Sequence, residues 1–291
     1  MIDLHCHSNC SDGTDSPDVL AGLADLVGLK AVALTDHDTL AGLDCFLGQQ
    51  HCVSAHLIAG IELSCVFSGQ ELHVLGLFIE HGDPIFQQRV DSLGKRRQRR
   101  NAKILEKLRH FDISICPDAY FEAEQGILTR AHIAEMLINE GHADTKAEVF
   151  HKYLGEGGLA YVPFEHLSPE TAFSWIKEAG GTSVIAHPAR FGRFARSQFI
   201  WDRAMEDLRD MGAQGIEAYY SEHSQAETAY FLGLCNTLGM APSGGSDYHG
   251  RVKPGCQLGL GWGNLDVPDE VLGGLLELKT QKITGTQHCL I

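Results

Sequence analysis

The sequence lacks paired cysteines: its nine cysteines in 291 residues include no Cys-x-x-Cys pair and no zinc-finger spacing. An odd number at irregular intervals in a chain of this length argues against a disulfide framework, so we expect reduced thiols. No long apolar run is present that would cross a membrane. The first residues also lack the basic and apolar regions of a signal peptide. These absences predict a cytoplasmic protein without membrane contact.

Positive charge is scarce as well. Lysine and arginine number 23 against 38 aspartates and glutamates, which gives a formal net charge of -15. Proteins that capture long duplex nucleic acid through general electrostatics are basic, so this class is disfavoured. A local basic pocket for a small anion remains compatible with the composition.

Short apolar runs alternate with helical patterns on either side of a helical middle region. Strands are predicted at residues 2–7, 31–35, 57–63, 72–79, 183–186, 215–219 and 241–243. This alternation indicates an α/β fold with a largely parallel sheet. Residues 87–161 show helical patterns and few strand signals. We therefore predict an α/β body formed by residues 1–86 and 162–291, with 87–161 as an inserted helical cap domain.

Potential metal ligands recur at the predicted strands. His5 and His7 are two apart on an apolar strand, so both side chains should point to one face. Glu62 is placed at the end of the strand that begins at residue 57. The complete set of candidates is His5, His7, Asp12, His37, Glu62, His73, His187, Asp247 and His249. Active sites of parallel α/β folds lie at the carboxyl ends of strands, and these nitrogen and oxygen donors suit manganese, iron or zinc.

Each of these residues alone has an ordinary interpretation, as a solvated turn carboxylate or a hydrogen-bonded histidine. Their joint occurrence at successive strands is what predicts a metal cluster. Asp36 and Asp38, which flank His37, are expected to support the cluster or its turn rather than to act as bases. Cys6 should point away from the histidines into the core.

The motifs resemble those of the PHP family, the polymerase-and-histidinol-phosphatase superfamily. They are His5-Cys6-His7 with Ser11-Asp12-Gly13, Leu34 to Thr39, Gly60-Ile61-Glu62, Leu72 to Gly76, Ala186-His187-Pro188 and Gly245 to His249. The resemblance spans nearly the whole chain in the family's order. It implies a distorted (β/α)7 barrel with a small helical insertion over its mouth.

The insert resembles one branch of this family, the nucleoside 3′,5′-bisphosphate phosphatases and related 5′→3′ exoribonucleases. The matching segments are Thr129 to Ala134, Val149 to Leu154 and Gly158 to Pro163. They contain none of the expected metal ligands, so they are a separate signal. The branch implies phosphate release from a small nucleotide or a short oligonucleotide.

The resemblance also implies three divalent metal ions, usually manganese or iron, with zinc possible. By the family pattern, His5, His7 and Asp247 would hold one ion. His73 and His187 would hold a second ion, and Glu62 would bridge the two. Asp12, His37 and His249 would hold the third. Catalytic roles are expected for Glu62, His187 and His249. Glu62 and its neighbours would hold the ions and a metal-bridging hydroxide for attack on phosphorus, and a metal-binding histidine would protonate the leaving oxygen.

Basic residues are concentrated between Lys95 and Arg100 on one predicted helix. Such a run is usually a solvated helix face. Residues three or four apart share a face, however, so two of these arginines can align and form a fork-like clamp on a second phosphate. The residues expected to bind that phosphate are Arg130, Arg100, Arg97, His223 and Ser224.

Four other functions are compatible with parts of the sequence. A 5′→3′ exonuclease on short RNA or DNA would use the same site. Histidinol-phosphate phosphatase shares the implied barrel, although the insert disfavours it. A non-catalytic PHP module would have lost ligands, and none is missing here. An amidohydrolase would need a bridging lysine at a strand end, and no candidate is present.

Overall fold

The computed structural model describes residues 1–116, 128, 130–163, 167–191 and 198–286. The strands are β1 (Asp3–Cys6), β2 (Ala31–Leu34), β3 (His56–Phe67), β4 (Gln70–Leu77), β5 (Thr182–Ile185), β6 (Gly215–Tyr220) and β7 (Ala241–Gly245). The helices are α1 (Pro17–Leu26), α2 (Leu43–Gly48), α3 (Pro84–Arg109), α4 (Arg130–Asn139), α5 (Lys146–Val149), α6 (Pro169–Glu178), α7 (Pro188–Phe191), α8 (Gln198–Met211), α9 (Gln225–Leu238) and α10 (Glu270–Thr286).

The seven strands form one sheet in the order of the sequence. The sheet curls until the end of β7 meets β1, where the Asp247 amide donates to the His5 carbonyl at 2.8 Å and the His7 amide to the Tyr248 carbonyl at 2.9 Å. A Cβ on Gly245 would lie 2.4 Å from the Cβ of His5, so only glycine allows this approach. The result is a nearly closed seven-stranded α/β barrel, as predicted.

The sheet is less parallel than the sequence pattern indicates. Strand β4 runs antiparallel to both β3 and β5, whereas the other neighbours are parallel. Strands β3 and β4 are joined by Ser68 and Gly69, which both have positive φ, the conformation that favours tight hairpins. Strand β3 continues to Phe67, so the prediction that Glu62 ends its strand was wrong. Glu62 lies inside the hairpin and pairs with Leu75.

Helix α3 connects the barrel to the helical region. Its first half places Phe86, Val90 and Leu93 in the core cluster beside the barrel. Its second half places Ile104 and Leu108 in a separate apolar cluster with α4 and α5. The predicted boundary at residues 86 and 87 therefore falls within one continuous helix, and the division into two domains stays a prediction. No helix of the described part has the length and apolar character needed to cross a membrane.

Candidate active site

Glu62 lies at the centre of a ring of histidines at one end of the barrel. Its side chain is fully buried, and both carboxylate oxygens contact imidazole nitrogens. Atom Oε2 lies 3.3 Å from His5 Nε2, 3.2 Å from His7 Nε2 and 3.1 Å from His37 Nδ1. Atom Oε1 lies 2.9 Å from His73 Nδ1 and 3.0 Å from His187 Nε2. One carboxylate thus joins five histidines from four segments of the chain.

The remaining predicted ligands extend this ring on one side. His249 places Nε2 3.3 Å from Asp12 Oδ1 and Nδ1 3.4 Å from Asp247 Oδ1. The same oxygen of Asp247 lies 3.3 Å from His7 Nε2 and 3.5 Å from His5 Nε2. All nine side chains singled out in the sequence therefore meet in one cluster.

The donor atoms of this cluster fit divalent cations. Four overlapping groups each bring their donors within 4.8 Å of one another: His7, Asp12, His37 and His249; His5, His7 and Asp247; His5, Glu62 and His187; and His37, Glu62 and His73. Within the described residues, His7 Nδ1, His37 Nδ1 and Glu62 Oε2 are buried without forming a hydrogen bond. Buried polar atoms rarely stay unpaired, so these three atoms fit a bound cation.

Electrostatics also favour ionised carboxylates in the cluster. Burial raises the pKa of Glu62, but the neighbouring His37 and His5 outweigh this and hold it well below its usual range. The pKa of Asp12 is likewise depressed, because His249 and His37 outweigh burial. Ionised carboxylates are the form that binds a metal.

Backbone conformation is unusual along the rim that carries the predicted ligands. Asp38, His187 and Asp247 all have positive φ, at 50°, 29° and 54°. Non-glycine residues adopt this region at a cost of roughly 1–3 kcal/mol and do so mostly at functional sites. Each residue lies just beyond the end of β2, β5 or β7, where the chain turns across the barrel mouth.

The two aspartates beside His37 support the rim, as expected. Asp36 accepts hydrogen bonds from the Ser8 amide at 2.8 Å, the Ser8 hydroxyl at 2.6 Å and the Ser11 hydroxyl at 2.5 Å. It therefore holds the loop that carries Asp12. Cys6 packs in the core, where its thiol donates to the Ala33 carbonyl at 3.2 Å.

The expected phosphate residues differ in their surroundings. Arg97 forms an ion pair with Asp38 and also donates to the Ser64 hydroxyl at 3.3 Å. Its guanidinium thereby ties α3 to the rim, and the phosphate contact expected of Arg97 stays a prediction. Ser224 caps α9 by exchanging hydrogen bonds with Glu227, and its expected phosphate contact also stays a prediction.

Arg100 and Arg130 lie close enough to influence one another. Arg130 Nη2 lies 3.4 Å from Glu71 Oε2, and its guanidinium lies over the Phe150 ring. Arg100 Nε donates to the Val162 carbonyl at 2.9 Å. Burial and the positive charge of Arg130 lower the pKa of Arg100 to about 10. Two neighbouring cations of this kind favour an anion between them. Thr129, from the same motif, lies outside the described residues.

His223 stays a candidate for a ligand contact. The ring is buried, and Nδ1 lies 3.0 Å from the Ala218 carbonyl. Atom Nε2 is buried and forms no hydrogen bond among the described residues.

A small cavity of about 230 Å³ adjoins the cluster, lined by Glu71, Leu72, His73, Ala186, His187 and Arg190. It provides space for a substrate group directly beside the predicted metal ligands.

Sequence reasoning missed four residues around this site. Tyr220 donates to Asp247 Oδ2 at 2.9 Å, and Lys253 and Arg190 lie 3.3 and 3.5 Å from the same oxygen. Glu217 contacts His5 at 2.9 Å. Glu217 is an acidic residue inside an apolar strand, the same signal that singled out Glu62. Lys253 had no comparable signal, because it lies in an irregular segment.

Comparison with known proteins agrees with this geometry. The PHP domain family matches residues 3–214. The chain belongs to the PHP family. It is 33% identical over 279 residues to a 5′-3′ exoribonuclease of Haemophilus influenzae, covering 93% of this chain and 96% of that protein. It is 31% identical over 260 residues to a 3′,5′-nucleoside bisphosphate phosphatase of Chromobacterium violaceum, covering 89% and 90%.

A solved structure shows the same architecture. A Bifidobacterium adolescentis protein assigned as a metal-dependent phosphoesterase superposes with a TM-score of 0.80 at 26% identity, covering 94% of this chain and 95% of that one. The resemblance to PHP proteins and the barrel fold are thus confirmed. The roles of the individual site residues stay predictions.

Proposed function

We propose that this PHP protein is a metal-dependent phosphoesterase that releases phosphate from nucleoside 3′,5′-bisphosphates. The observation that carries the proposal is the ring of imidazoles and carboxylates around Glu62 beside a cavity near an arginine pair. One phosphate of the substrate meets the cluster, and the other meets the arginines. The resemblance to the bisphosphate phosphatase supports the substrate class.

The cluster would hold three divalent ions, manganese or iron in preference to zinc. Divalent ions lower the pKa of bound water and neutralise phosphate oxygens during in-line displacement. The protein's own contribution is to fix the donors before substrate arrives. Glu62 presents one oxygen to His73 and His187 and the other to the remaining histidines of the ring. Glu62 would therefore help to hold metal on both sides of the ring.

Arg130 and Arg100 supply the selectivity for a second phosphate. Arg130 is paired with Glu71, whose side chain is half exposed. Exchanging such a partly exposed ion pair for a phosphate costs little, because its net contribution is roughly 0–1 kcal/mol. Burial and the charge of Arg130 lower the pKa of Arg100, and a dianionic phosphate would relieve the repulsion between the two arginines. A monophosphate held only at the cluster gains neither contact.

The test is to compare Arg130→Ala on adenosine 3′,5′-bisphosphate and on a simple aryl phosphate. We expect kcat/KM for the bisphosphate to fall about 100-fold while the aryl phosphate is hydrolysed nearly as before. Arg99→Ala is the matched control, since Arg99 lies on the exposed face of α3. Equal losses on both substrates would show that Arg130 does not act as a phosphate clamp.

A 5′→3′ exonuclease is the second candidate, supported by 33% identity to the exoribonuclease. The same arginines would then hold a terminal 5′-phosphate, and the cluster would cleave the next phosphodiester. Comparing adenosine 3′,5′-bisphosphate with a 5′-phosphorylated RNA oligomer separates the two. A higher kcat/KM for the oligomer would assign the exonuclease as the main activity.

The other candidate functions have less support from the structure. Histidinol phosphate carries a single phosphate, so a histidinol-phosphate phosphatase does not need the second anion site at Arg100 and Arg130. A non-catalytic module does not need the full set of nine predicted metal ligands. The amidohydrolase hypothesis requires a lysine that bridges two metal ions, whereas Glu62 lies at the centre of the cluster here. Phosphate release from histidinol phosphate at a rate above that of the bisphosphate would reverse this ranking.

A further inference from the structure

Strand β6 differs from the other six strands of the barrel. Each of the others carries a predicted metal ligand or is followed directly by one, whereas residues Gly215–Tyr220 contain none. Yet β6 lies between β5, which precedes His187, and β7, which precedes Asp247. Its acidic residue, Glu217, is fully buried among the donors of the site. A buried carboxylate at this position requires a physical account, because burial of an unpaired charge is costly.

Glu217 uses its two oxygens on two different segments. Oε1 lies 2.9 Å from His5 Nδ1, and Oε2 accepts a hydrogen bond of 2.7 Å from the His187 amide. The first contact crosses to β1, and the second reaches the end of β5. A single side chain therefore joins two predicted ligands that are distant in the sequence.

The contact with His5 determines which ring nitrogen carries the proton. An ionised carboxylate can only accept, so His5 Nδ1 must donate. The lone pair of the neutral ring is then on Nε2, which faces His7 Nε2 at 3.1 Å and Glu62 Oε2 at 3.3 Å. This is the tautomer that can bind a cation through Nε2.

The contact with His187 acts on the backbone. His187 has a φ of 29°, a conformation that non-glycine residues rarely adopt. The hydrogen bond to Glu217 stabilises the amide in this conformation. From there, His187 Nε2 reaches Glu62 Oε1 at 3.0 Å.

We infer that Glu217 is a positioning residue, which fixes the tautomer of His5 and the backbone of His187 so that both Nε2 atoms are aimed at the metal cluster. The inference rests on the proposed metal-dependent function. Glu217 itself contacts no substrate in this account. Outer partners of this kind typically change metal affinity roughly 10- to 100-fold when replaced.

The decisive variant is Glu217→Gln, which keeps the shape but leaves one acceptor and one amide donor. Either His5 or the His187 amide then loses its acceptor. We expect Mn²⁺ titrated into the chelated protein to bind roughly 10- to 100-fold more weakly than to the wild type. Glu217→Asp, which keeps two acceptors at shorter reach, should recover part of this affinity.

Asp3→Asn is the matched control for removing a buried carboxylate. Asp3 is equally buried and accepts from the Ser246 amide at 2.9 Å, the Gly259 amide at 2.7 Å and the His5 amide at 3.2 Å, but among the described residues it accepts from no imidazole of a predicted ligand. Its loss should lower the thermal unfolding midpoint more than it lowers Mn²⁺ affinity. Nitrogen-15 NMR of the diamagnetic Zn²⁺-loaded wild type gives a direct readout, with the His5 proton expected on Nδ1.

The outcomes separate this inference from the proposed function. Wild-type Mn²⁺ affinity in Glu217→Gln, an equal affinity loss in Asp3→Asn, or a His5 proton on Nε2 would overturn the positioning role while leaving the phosphoesterase proposal intact. A wild-type protein that binds no Mn²⁺ after chelation would instead remove the proposed function, and the positioning role with it. If Glu217→Gln does not fold, the NMR result on the wild type decides.

Discussion

The metal cluster and the arginine pair are built in different ways. In the cluster, every side chain is buried or partly buried at the barrel mouth and contacts several others, with Glu62 as the shared centre. The arginines belong to the helical region, and Arg130 is paired with the half-exposed Glu71. In the proposed function, the barrel would fix the chemistry and the Arg100–Arg130 pair would select the substrate, so the two regions could change independently. Relatives named for different phosphoester substrates are consistent with this division.

The largest expected effect is on the shared centre. Glu62→Gln keeps the side-chain shape but removes the negative charge that both sides of the ring contact. We expect kcat to fall by at least roughly 10³-fold on the bisphosphate and on an aryl phosphate alike. Steady-state phosphate release on both substrates is the measurement, with elemental analysis of the same samples for bound metal.

Glu178→Gln is the control for this experiment, because Glu178 forms a surface ion pair with Arg89 at 2.8 Å. It should leave both rates unchanged. Loss of activity on only one substrate in Glu62→Gln would contradict the proposal that the cluster acts on both substrates while the arginines select between them.

Replacing one arginine of the Arg100–Arg130 pair should have a smaller effect, confined to the bisphosphate substrate. Arg100→Ala should lower kcat/KM for the bisphosphate about 10- to 100-fold, because one of the two cations facing the second phosphate is lost. The aryl phosphate should be hydrolysed at the wild-type rate. If Arg100→Ala instead lowers kcat on both substrates, Arg100 contributes to the chemistry at the cluster and not to selection of the substrate.

A modest effect is expected at Asp247 Oδ2, an acceptor that three side chains share. Tyr220→Phe removes one hydrogen bond to Asp247 Oδ2, but Lys253 and Arg190 remain beside this oxygen. We therefore expect kcat to fall only about 3- to 10-fold, equally on both substrates. Steady-state rates at saturating Mn²⁺ measure it, and a loss as large as that of Glu62→Gln would contradict this sharing.

The smallest effect concerns stability and pH. Burial raises the pKa of Glu222, but its bonds to Arg190 and Lys253 outweigh this and lower it to about 2. A carboxyl with a depressed folded-state pKa stabilises the protein above its unfolded value near 4.5, and this contribution is lost as pH falls toward 2. Glu222→Gln should cost on the order of 1 kcal/mol at pH 7 and less at pH 3.

Urea unfolding of both proteins at pH 7, 5 and 3 measures this difference. A gap between the two proteins that stays constant across the series would show that the ion pairs of Glu222 do not contribute through its charge.

The comparison between the two regions also explains what could be predicted from the sequence. Predicted ligands such as His37 and His187 follow apolar strands directly, so strand pattern and parallel topology place them at one rim. The cluster could therefore be assembled residue by residue. The strand pattern does not reveal the tight turn at Ser68 and Gly69, nor the antiparallel β4 and the position of Glu62 inside the hairpin that follow from this turn.

Tertiary partners could not be predicted in the same way. Arg97 looked equivalent to Arg100 on the helix, and only the packing of α3 against the rim brings Arg97 to Asp38. Glu217 had a recognisable signal, but its partners His5 and His187 come from other strands. Pairings between distant segments depend on the closed barrel, which local pattern does not specify.

The central claim is that the cluster around Glu62 carries the chemistry through bound metal. The most direct measurement is phosphate release from adenosine 3′,5′-bisphosphate by one preparation before chelation, after chelation and after Mn²⁺ is restored, with elemental analysis of each sample. We expect turnover to disappear with the metal and to return in proportion to the manganese bound. Full turnover by protein that contains no metal would contradict the account.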